Sequence, residues 1–155
     1  MRFTNIFAAA VAVAALHHVN VRGQVLNETP ATDRVQLRAL TEFANTLFVE
    51  KDAQKAYDEW VPGVYINHTP EVLSGRENSL AAIEALFSNL NLGFTIAAVV
   101  VVGDGLGYIH HRTTVPGEFD WAVIDLFRFN GTCMVEHWDV IQPITGNEIN
   151  PIAFF

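Results

Sequence analysis

The sequence predicts an α+β fold in which helices pack on one face of a curved antiparallel sheet. Its 155 residues are the length of one ordinary domain. Apolar residues recur at helical spacing in the first half of the chain, and from Gly93 onward β-branched and aromatic runs replace them. Because helices come first and consecutive strands follow, we expect a sheet wrapped on a helix, with a concave pocket between the two layers.

Residues 1–23 have the pattern of a targeting segment rather than of a folded element. The uncharged apolar run from Ile6 to Leu16 has eleven residues, and a bilayer-spanning helix needs about 20. A positive start, a short apolar run and small side chains before a cleavage point after Gly23 are typical of a secretory signal peptide. We therefore predict a signal peptide over 1–23, a domain over 24–155 and a secreted protein. The alternative is an apolar N-terminal helix that is retained.

The first half of the domain predicts three helices. The first runs from about 33 to 50, with Asp33 as its N-cap and apolar residues on one stripe. Asp52 caps a second, short helix, which Pro62 stops. A third helix follows Gly75 and ends before the strands begin.

The second half predicts four strands, after a short strand-like run from Val64 to His68. Glycine and proline residues separate the four, and the last one ends at Pro143. Asn130-Gly131 is a strong hairpin signal between the third and the fourth. The four strands are predicted over 94–102, 106–115, 119–129 and 132–141.

Composition argues against several classes of function. The formal net charge is −8, from 9 basic and 17 acidic residues, and no basic run is present, so we expect no nucleic-acid partner. After cleavage of residues 1–23 no apolar run is long enough to span a membrane. The chain has no metal-ligand spacing such as His-x-His, no phosphate loop and no dinucleotide fingerprint, so we expect no metal and no cofactor. The single cysteine, Cys133, is predicted to be a buried apolar residue rather than a catalytic thiol.

Three Asn-x-Thr sequons agree with a secretory route, at Asn27, Asn67 and Asn130. A proline follows each of the first two, which disfavours their glycosylation. Asn130 lies at the predicted hairpin tip and is the best exposed of the three glycosylation candidates.

Polar residues inside the predicted strands are the candidates for chemistry. Asp125 stands in an apolar run, where it faces either the pocket or solvent. If it faces the pocket, burial raises the pKa of its carboxyl toward neutrality, which suits acid–base work. Of His110 and His111, one must face inward and the other outward.

The register of the last hairpin decides which polar residues share the pocket face. Alternation places Glu136 and Trp138 on one face, and His137 and Asp139 on the other. A two-residue Asn-Gly loop puts Asp125 opposite Glu136. A three-residue bulged loop brings Asp125 level with His137 and Asp139 instead. The sequence leaves both registers open.

These segments together resemble a known family. The runs Asp125 to Gly131 (DLFRFNG) and Val135 to Gln142 (VEHWDVIQ) resemble the last hairpin of SnoaL-like proteins, which belong to the NTF2-like superfamily. Tyr65 to Pro70 (YINHTP) resembles that family's Tyr-x-Gln-His-Asn-Pro segment. Val102-Gly103-Asp104 resembles its Glu-Gly-Asp turn, with Val102 in place of the acid. The resemblance covers nearly all of residues 33–155.

The resemblance implies a cone-shaped α+β fold with a deep pocket. Its characterised members include polyketide cyclases that perform an intramolecular aldol closure with an aspartate on the last strand as acid/base, and Asp139 matches that residue. A histidine lies one strand earlier in the family, whereas the matching position here is Asp125. Two carboxylates so close together would share a proton, which would raise the pKa of one of them.

The function implied is that of a cofactor-free lyase or isomerase, such as an aldol-type cyclase, acting on a small apolar carbonyl ligand. A homodimer formed through the sheet face is also implied. A ligand-binding module without chemistry and a secreted interaction protein remain as alternatives. The residues implied as catalytic are Asp139, Asp125, His68 and His111, and those implied as pocket walls are Asn67, Trp121, Phe127, His137 and Trp138.

Overall fold

The computed structural model describes residues 30–89 and 91–155. The predicted signal peptide and the sequon at Asn27 lie outside these ranges. Within them, three α-helices pack on one five-stranded, mostly antiparallel sheet, which confirms the α+β class. No helix in the described part of the chain is both long and apolar enough to cross a membrane.

The helical layer contains α1 (Asp33–Ala44), α2 (Ala53–Trp60) and α3 (Arg76–Asn89). The helix predicted over 33–50 is confirmed in extent, but its last turn, Asn45–Val49, is π-helical. A π-helical turn widens the backbone locally and is frequent at functional sites. This one brings Leu47 and Phe48 to the inner face of the helical layer.

The helix caps agree with the sequence at one position and differ at the other. Asp52 caps α2 as predicted, since its carboxylate accepts a hydrogen bond from the Lys55 amide at 2.9 Å. The N-cap of α1 is Thr32 and not Asp33. Asp33 lies instead in the first turn, where a negative charge interacts favourably with the helix dipole.

The sheet has the strand order β1-β5-β4-β3-β2, in which β1 runs parallel to β5 and the other pairs are antiparallel. β5 continues through Pro143, where the sequence predicted its end. β1 pairs only with Glu136 and His137, so β5 has an open edge near Pro143, and a residue without an N–H is tolerated there. The strands are β1 (Ile66–Asn67), β2 (Gly93–Gly103), β3 (Leu106–Thr114), β4 (Asp120–Asn130) and β5 (Cys133–Ile144).

A bulge in β5 sets the register of the last hairpin. Asn130 pairs with Cys133 across a Gly131-Thr132 loop, in which Gly131 has a φ of 62°. The pairing then shifts by one residue, because Val135 has no partner opposite it. Neither the two-residue Asn130-Gly131 loop nor the three-residue bulged loop expected from the sequence is therefore correct in detail.

The faces that follow from the bulge are those of the bulged alternative. Asp125 lies directly opposite Asp139, and Phe127 lies opposite His137. Directly paired residues point to the same side of a sheet, so these four side chains share the face that looks toward the helices.

The core lies between α1 and the inner face of β3–β5. Leu40, Ile109 and Met134 have no solvent exposure. Phe43 on α1 packs edge-on against Phe127 on β4, with ring centroids 5.4 Å apart. These contacts close one end of the space between the layers.

We expect Gly107→Ala to destabilise the fold by about 2 kcal/mol, the usual cost of overpacking a tight contact. A Cβ at Gly107 would stand 2.9 Å from the Val100 carbonyl oxygen and 3.0 Å from Leu40 Cδ2. Chemical denaturation followed by circular dichroism measures the change.

Gly63→Ala is the matched control. A Cβ there meets nothing within 4 Å, so its effect should stay within about 0.5 kcal/mol. Equal stability of the two variants would contradict the close packing of α1 on β3.

Candidate active site

A cavity of about 540 Å³ opens between the helical layer and the inner face of the sheet. This volume falls within the range of small-molecule sites, about 300–1,000 Å³. Most of its wall is apolar and much of it is aromatic, and none of its described lining residues is Lys or Arg. The aromatic part includes Phe43, Phe48, Phe87, Phe94 and Phe127.

The polar wall of the cavity comes from three adjacent strands. β3 contributes His111, β4 contributes Asp125, and β5 contributes His137 and Asp139. All four have odd numbers, and beyond the bulge the odd residues of β3, β4 and β5 all point inward. The structure thus brings together most of the residues that the sequence assigned to chemistry.

Asp125 occupies the centre of this wall and is bonded on both of its oxygens. Nε2 of His111 donates to Oδ2 at 2.9 Å, and Nε2 of His137 donates to Oδ1 at 3.1 Å. The Asp125 side chain is only 14% exposed. Charge-assisted bonds of this kind are the strong class of protein hydrogen bonds.

The pKa of Asp125 is lowered, which is opposite to the sequence-based expectation. Burial by itself raises the pKa of this carboxyl, but the hydrogen bonds from His111 and His137 favour the charged form and outweigh it. The sequence predicted burial correctly and missed the two donors. Asp125 is therefore ionised and firmly held, which makes it a poor proton acceptor.

A chain of hydrogen bonds continues from Asp125 to the second carboxylate. His137 Nδ1 lies 2.9 Å from Asn67 Oδ1, and the Thr69 hydroxyl lies 3.0 Å from that same oxygen. The hydroxyl also donates to Oδ2 of Asp139 at 2.7 Å. Asn67 and Thr69 stand where β1 leaves the sheet beside β5, so this short strand links the two carboxylates.

His111 is enclosed by aromatic rings. Its imidazole lies 4.4 Å from the ring centroid of Phe48 and 5.9 Å from that of Phe94. Its Nδ1 is 3.3 Å from the Thr113 hydroxyl. The residue is 3% exposed, which confirms that His111 is the inward member of the His110–His111 pair. His110 lies on the other side and stacks on Phe155.

Two buried tyrosines form a further polar group that the sequence analysis did not assign to the site. Tyr57 on α2 and Tyr65 before β1 line the cavity and are hydrogen-bonded to each other. Burial raises the pKa of both phenols, so both remain neutral donors at any physiological pH. Tyr65 begins the family-like segment, which was the available signal. The helical spacing of α2 marked Tyr57 only as a core residue, so no sequence signal pointed to a polar role.

Two of the assigned residues lie outside the cavity. His68 and Trp138 are on the outer face, where their rings stack at 4.8 Å, and neither lines the cavity. His68 Nε2 bonds Glu136, and Glu136 also accepts from Arg128 at 2.8 Å. The sequence analysis placed them in the site, but alternation along β5 turns Trp138 away, and His68, the residue after β1, lies beside it. Asn67, Trp121, Phe127 and His137 do line the cavity as expected.

The structure also separates the two described sequons. Asn67 is 8% exposed and its amide oxygen is engaged by His137 and Thr69 inside the cavity wall, a placement that disfavours an attached glycan. Asn130 is exposed at the hairpin tip. The burial of Asn67 argues against its glycosylation in the folded chain, and glycosylation at both positions stays a prediction.

A metal site is not indicated by the geometry of the described residues. No group of three or more His, Cys, Asp or Glu side chains in residues 30–89 and 91–155 is arranged to hold an ion. Around Asp125, the Nε2 atoms of His111 and His137 are already engaged in hydrogen bonds to the carboxylate.

Solved structures share this architecture. An NTF-2 like protein of unknown function from Burkholderia xenovorans LB400 has a TM-score of 0.59 and 16% identity, over 77% of this chain and 91% of that one. A candidate SnoaL-like polyketide cyclase from Jannaschia sp. CCS1 has a TM-score of 0.55 and 17% identity, over 68% and 86%. The chain has the SnoaL-like, NTF2-like fold.

A third similar structure is TsrD from Streptomyces laurentii, with a TM-score of 0.58 and 22% identity over 72% of this chain and 91% of that one. No protein-family model matches the sequence, and no curated protein matches it. At these identities the likeness establishes the SnoaL-like fold, whereas the chemistry has to be argued from the site itself.

We expect Asp125→Asn to lower the free energy of unfolding by about 3 kcal/mol at pH 7, as breaking a buried charge pair does. The folded-state pKa of Asp125 is lowered, so its ionised form stabilises the fold above the unfolded pKa near 3.9. That contribution is lost as the pH falls from about 4 toward the folded pKa. The gap between wild type and variant, measured by urea denaturation from pH 7 to pH 3, should therefore shrink below about pH 4.

Glu136→Gln is the control for this experiment. Glu136 also accepts from a histidine and an arginine, but on the outer face, where such pairs contribute about 0–1 kcal/mol. Equal losses in the two variants, or a gap at Asp125 that does not depend on pH, would contradict the assignment.

Proposed function

We propose that the protein is a cofactor-independent acid/base enzyme of the SnoaL-like type, acting on a small, largely apolar carbonyl compound. The reaction class is an aldol-type cyclisation, a lyase reaction or an isomerisation. An aldol closure, a β-elimination next to a carbonyl and a keto–enol isomerisation share a first step, the removal of a proton from the carbon next to the carbonyl. The description of the Jannaschia neighbour as a candidate SnoaL-like polyketide cyclase agrees with this class.

The proposal rests on the difference in hydrogen bonding between the two facing carboxylates, Asp125 and Asp139. Both oxygens of Asp125 are occupied by histidines, whereas Asp139 accepts from the Thr69 hydroxyl on Oδ2. Asp139 lines the cavity and is the less constrained of the two. We assign it the acid/base role, since a catalytic base must reach the proton it removes.

Asp125, His111 and His137 assist Asp139 and are not themselves the base. The carboxylate of Asp125 fixes the orientation of His111 and His137, so that two polar rings stay on the wall to which the carbonyl end of the ligand would bind. His68 has no part in this proposal, because its imidazole bonds Glu136 on the outer face.

The composition of the cavity wall selects the ligand class. The lining includes the carboxylates Asp125, Asp139 and Glu71 and, among described residues, no Lys or Arg to pair with an anion. Burying an unpaired anionic ligand beside carboxylates is unfavourable. A neutral ligand with a flat apolar body fits the aromatic walls, and its carbonyl fits the polar wall.

Solvent deuterium exchange tests the shared first step before any product is known. The probe is 2-tetralone, a neutral bicyclic ketone, incubated in D₂O with the purified protein. Faster deuterium incorporation at the carbon next to the carbonyl, followed by mass spectrometry, supports the enzyme. Saturable binding of the same ketone without exchange would favour the ligand-binding module instead.

We expect Asp139→Asn to reduce the exchange rate by about 10²–10⁴-fold, the usual contribution of general acid–base catalysis. The amide keeps the shape of the side chain and the contact with Thr69, but it cannot accept the proton. Thermal unfolding should show that the variant remains folded.

Asp120→Asn is the matched control, because Asp120 is also a strand aspartate but lies outside the cavity beside Arg112. Its exchange rate should equal that of the wild type. Survival of exchange in the Asp139 variant would remove the role assigned to that residue.

We also propose that residues 1–23 are cleaved and that the protein is secreted, as the apolar run and the sequons suggest. Expressed through a eukaryotic secretory pathway, the chain should carry a glycan on Asn130 and none on Asn67, because only Asn130 is exposed. Peptide mapping by mass spectrometry checks both positions, with Asn130→Gln as the control for loss of the glycan. A glycan on Asn67 would contradict the buried placement of that residue.

A further inference from the structure

The two ring nitrogens of His137 both face oxygen acceptors. Nε2 lies 3.1 Å from a carboxylate oxygen of Asp125, and Nδ1 lies 2.9 Å from Oδ1 of Asn67. A neutral imidazole has only one N–H and could satisfy only one of these contacts. An imidazolium has two N–H groups and satisfies both.

The identity of the Asn67 atom decides between these two states. An amide oxygen and an amide nitrogen differ little in shape, so the surroundings must distinguish them. The backbone N–H of Thr69 also points at this atom, at 3.3 Å. A peptide N–H can only donate, so the atom is the oxygen, and Asn67 accepts from His137.

The Thr69 hydroxyl leaves this oxygen available. It has one proton and two acceptors within reach, 2.7 Å from Asp139 and 3.0 Å from Asn67. Bonds to a carboxylate are stronger and shorter than neutral ones, so with an ionised Asp139 the proton points there. The oxygen of Asn67 then accepts from His137 and from the Thr69 amide.

His111 provides a contrast within the same site. Its Nε2 donates to Asp125, but its Nδ1 faces the hydroxyl of Thr113, which is able to donate. A neutral His111 with its proton on Nε2 satisfies both contacts. The hydrogen-bond partners therefore require a doubly protonated ring at His137 and not at His111.

We infer that Asn67 is a positioning residue that holds His137 in its doubly protonated form, paired with the ionised Asp125. The pair is neutral as a whole, and it fixes a positive charge on the cavity wall beside Asp139. Its catalytic consequence rests on the proposed function: a fixed cation there stabilises the oxyanion that forms when Asp139 removes a proton.

Other titratable groups of the cavity contribute to the state of His137. Asp125 bonds the His137 ring directly, and Asp139 lines the same cavity. The tyrosines from the helical side are neutral, and His111 is neutral by the argument above. These groups are Asp125 on β4, Asp139 on β5, His111 on β3, Glu71 near the opening, and Tyr57 and Tyr65.

Nitrogen NMR of the histidine rings tests this inference directly. The purified chain is labelled with ¹⁵N-histidine, and the His137 ring is assigned from its absence in His137→Gln. At about pH 7.5 an ordinary histidine, with a pKa near 6.5, is about 90% neutral. We expect both His137 nitrogens to be protonated there, and a single protonated nitrogen on His111.

Two substitutions at Asn67 separate positioning from packing. Asn67→Leu removes the acceptor at similar size, and His137 should lose one proton at about pH 7.5. Asn67→Asp restores an acceptor, and the second proton should return. Asn130→Leu, at the exposed hairpin tip, is the control and should leave the His137 ring signals unchanged.

Two results would contradict this inference. A non-protonated His137 nitrogen in the wild type would overturn it, and so would a doubly protonated ring that survives in Asn67→Leu. If Asn67→Leu does not fold, the wild-type spectrum and Asn67→Asp still decide. Because this measurement requires no substrate, it stands apart from deuterium exchange, whose failure would count against the proposed function alone.

Discussion

The site is organised by one carboxylate that has to remain charged in a mostly apolar cavity. Asp125 can do so because both of its oxygens meet an N–H, one from His111 on β3 and one from His137 on β5. A buried carboxylate without such partners would take up a proton. The same two bonds tie three adjacent strands together on their inner face. They also fix two imidazole rings, and they leave Asp139 as the carboxylate with more freedom.

Much of this arrangement could be predicted from the sequence. The order of elements follows from hydrophobic periodicity, and the resemblance of the last hairpin placed Asp139 and Asp125 near one another. The direction of the pKa shift of Asp125 could not be predicted, since it depends on which histidines reach the carboxylate across the sheet. His68 shows the same limit: it is one position beyond Asn67, the last residue of β1, and that step turns its ring to the outer face.

The cavity combines a polar strand wall with a helical wall that is nearly all apolar. Phe48, supplied by the π-helical turn, packs on His111 at 4.4 Å, so a ring of the apolar wall shields part of the polar one. Excluding water in this way lowers the local dielectric constant and strengthens the electrostatic interactions that remain. The two buried tyrosines add neutral donors at the same boundary. A ligand with an apolar body and one polar end matches this division.

The extra residue in β5 has a consequence for the divergence of such proteins. Val135 stands without a partner, and every side chain after it is displaced by one step relative to β4. If the bulge were straightened, so that Val135 paired with Arg128, the inner and outer faces of the strand would exchange, and Glu136 and Trp138 would face the cavity in place of His137 and Asp139. A lineage could thus acquire a different set of pocket groups by losing the bulge, whereas deletion of the bulged residue itself would keep the present pairing. An alignment that slides a gap across this hairpin would pair pocket residues of one protein with surface residues of another.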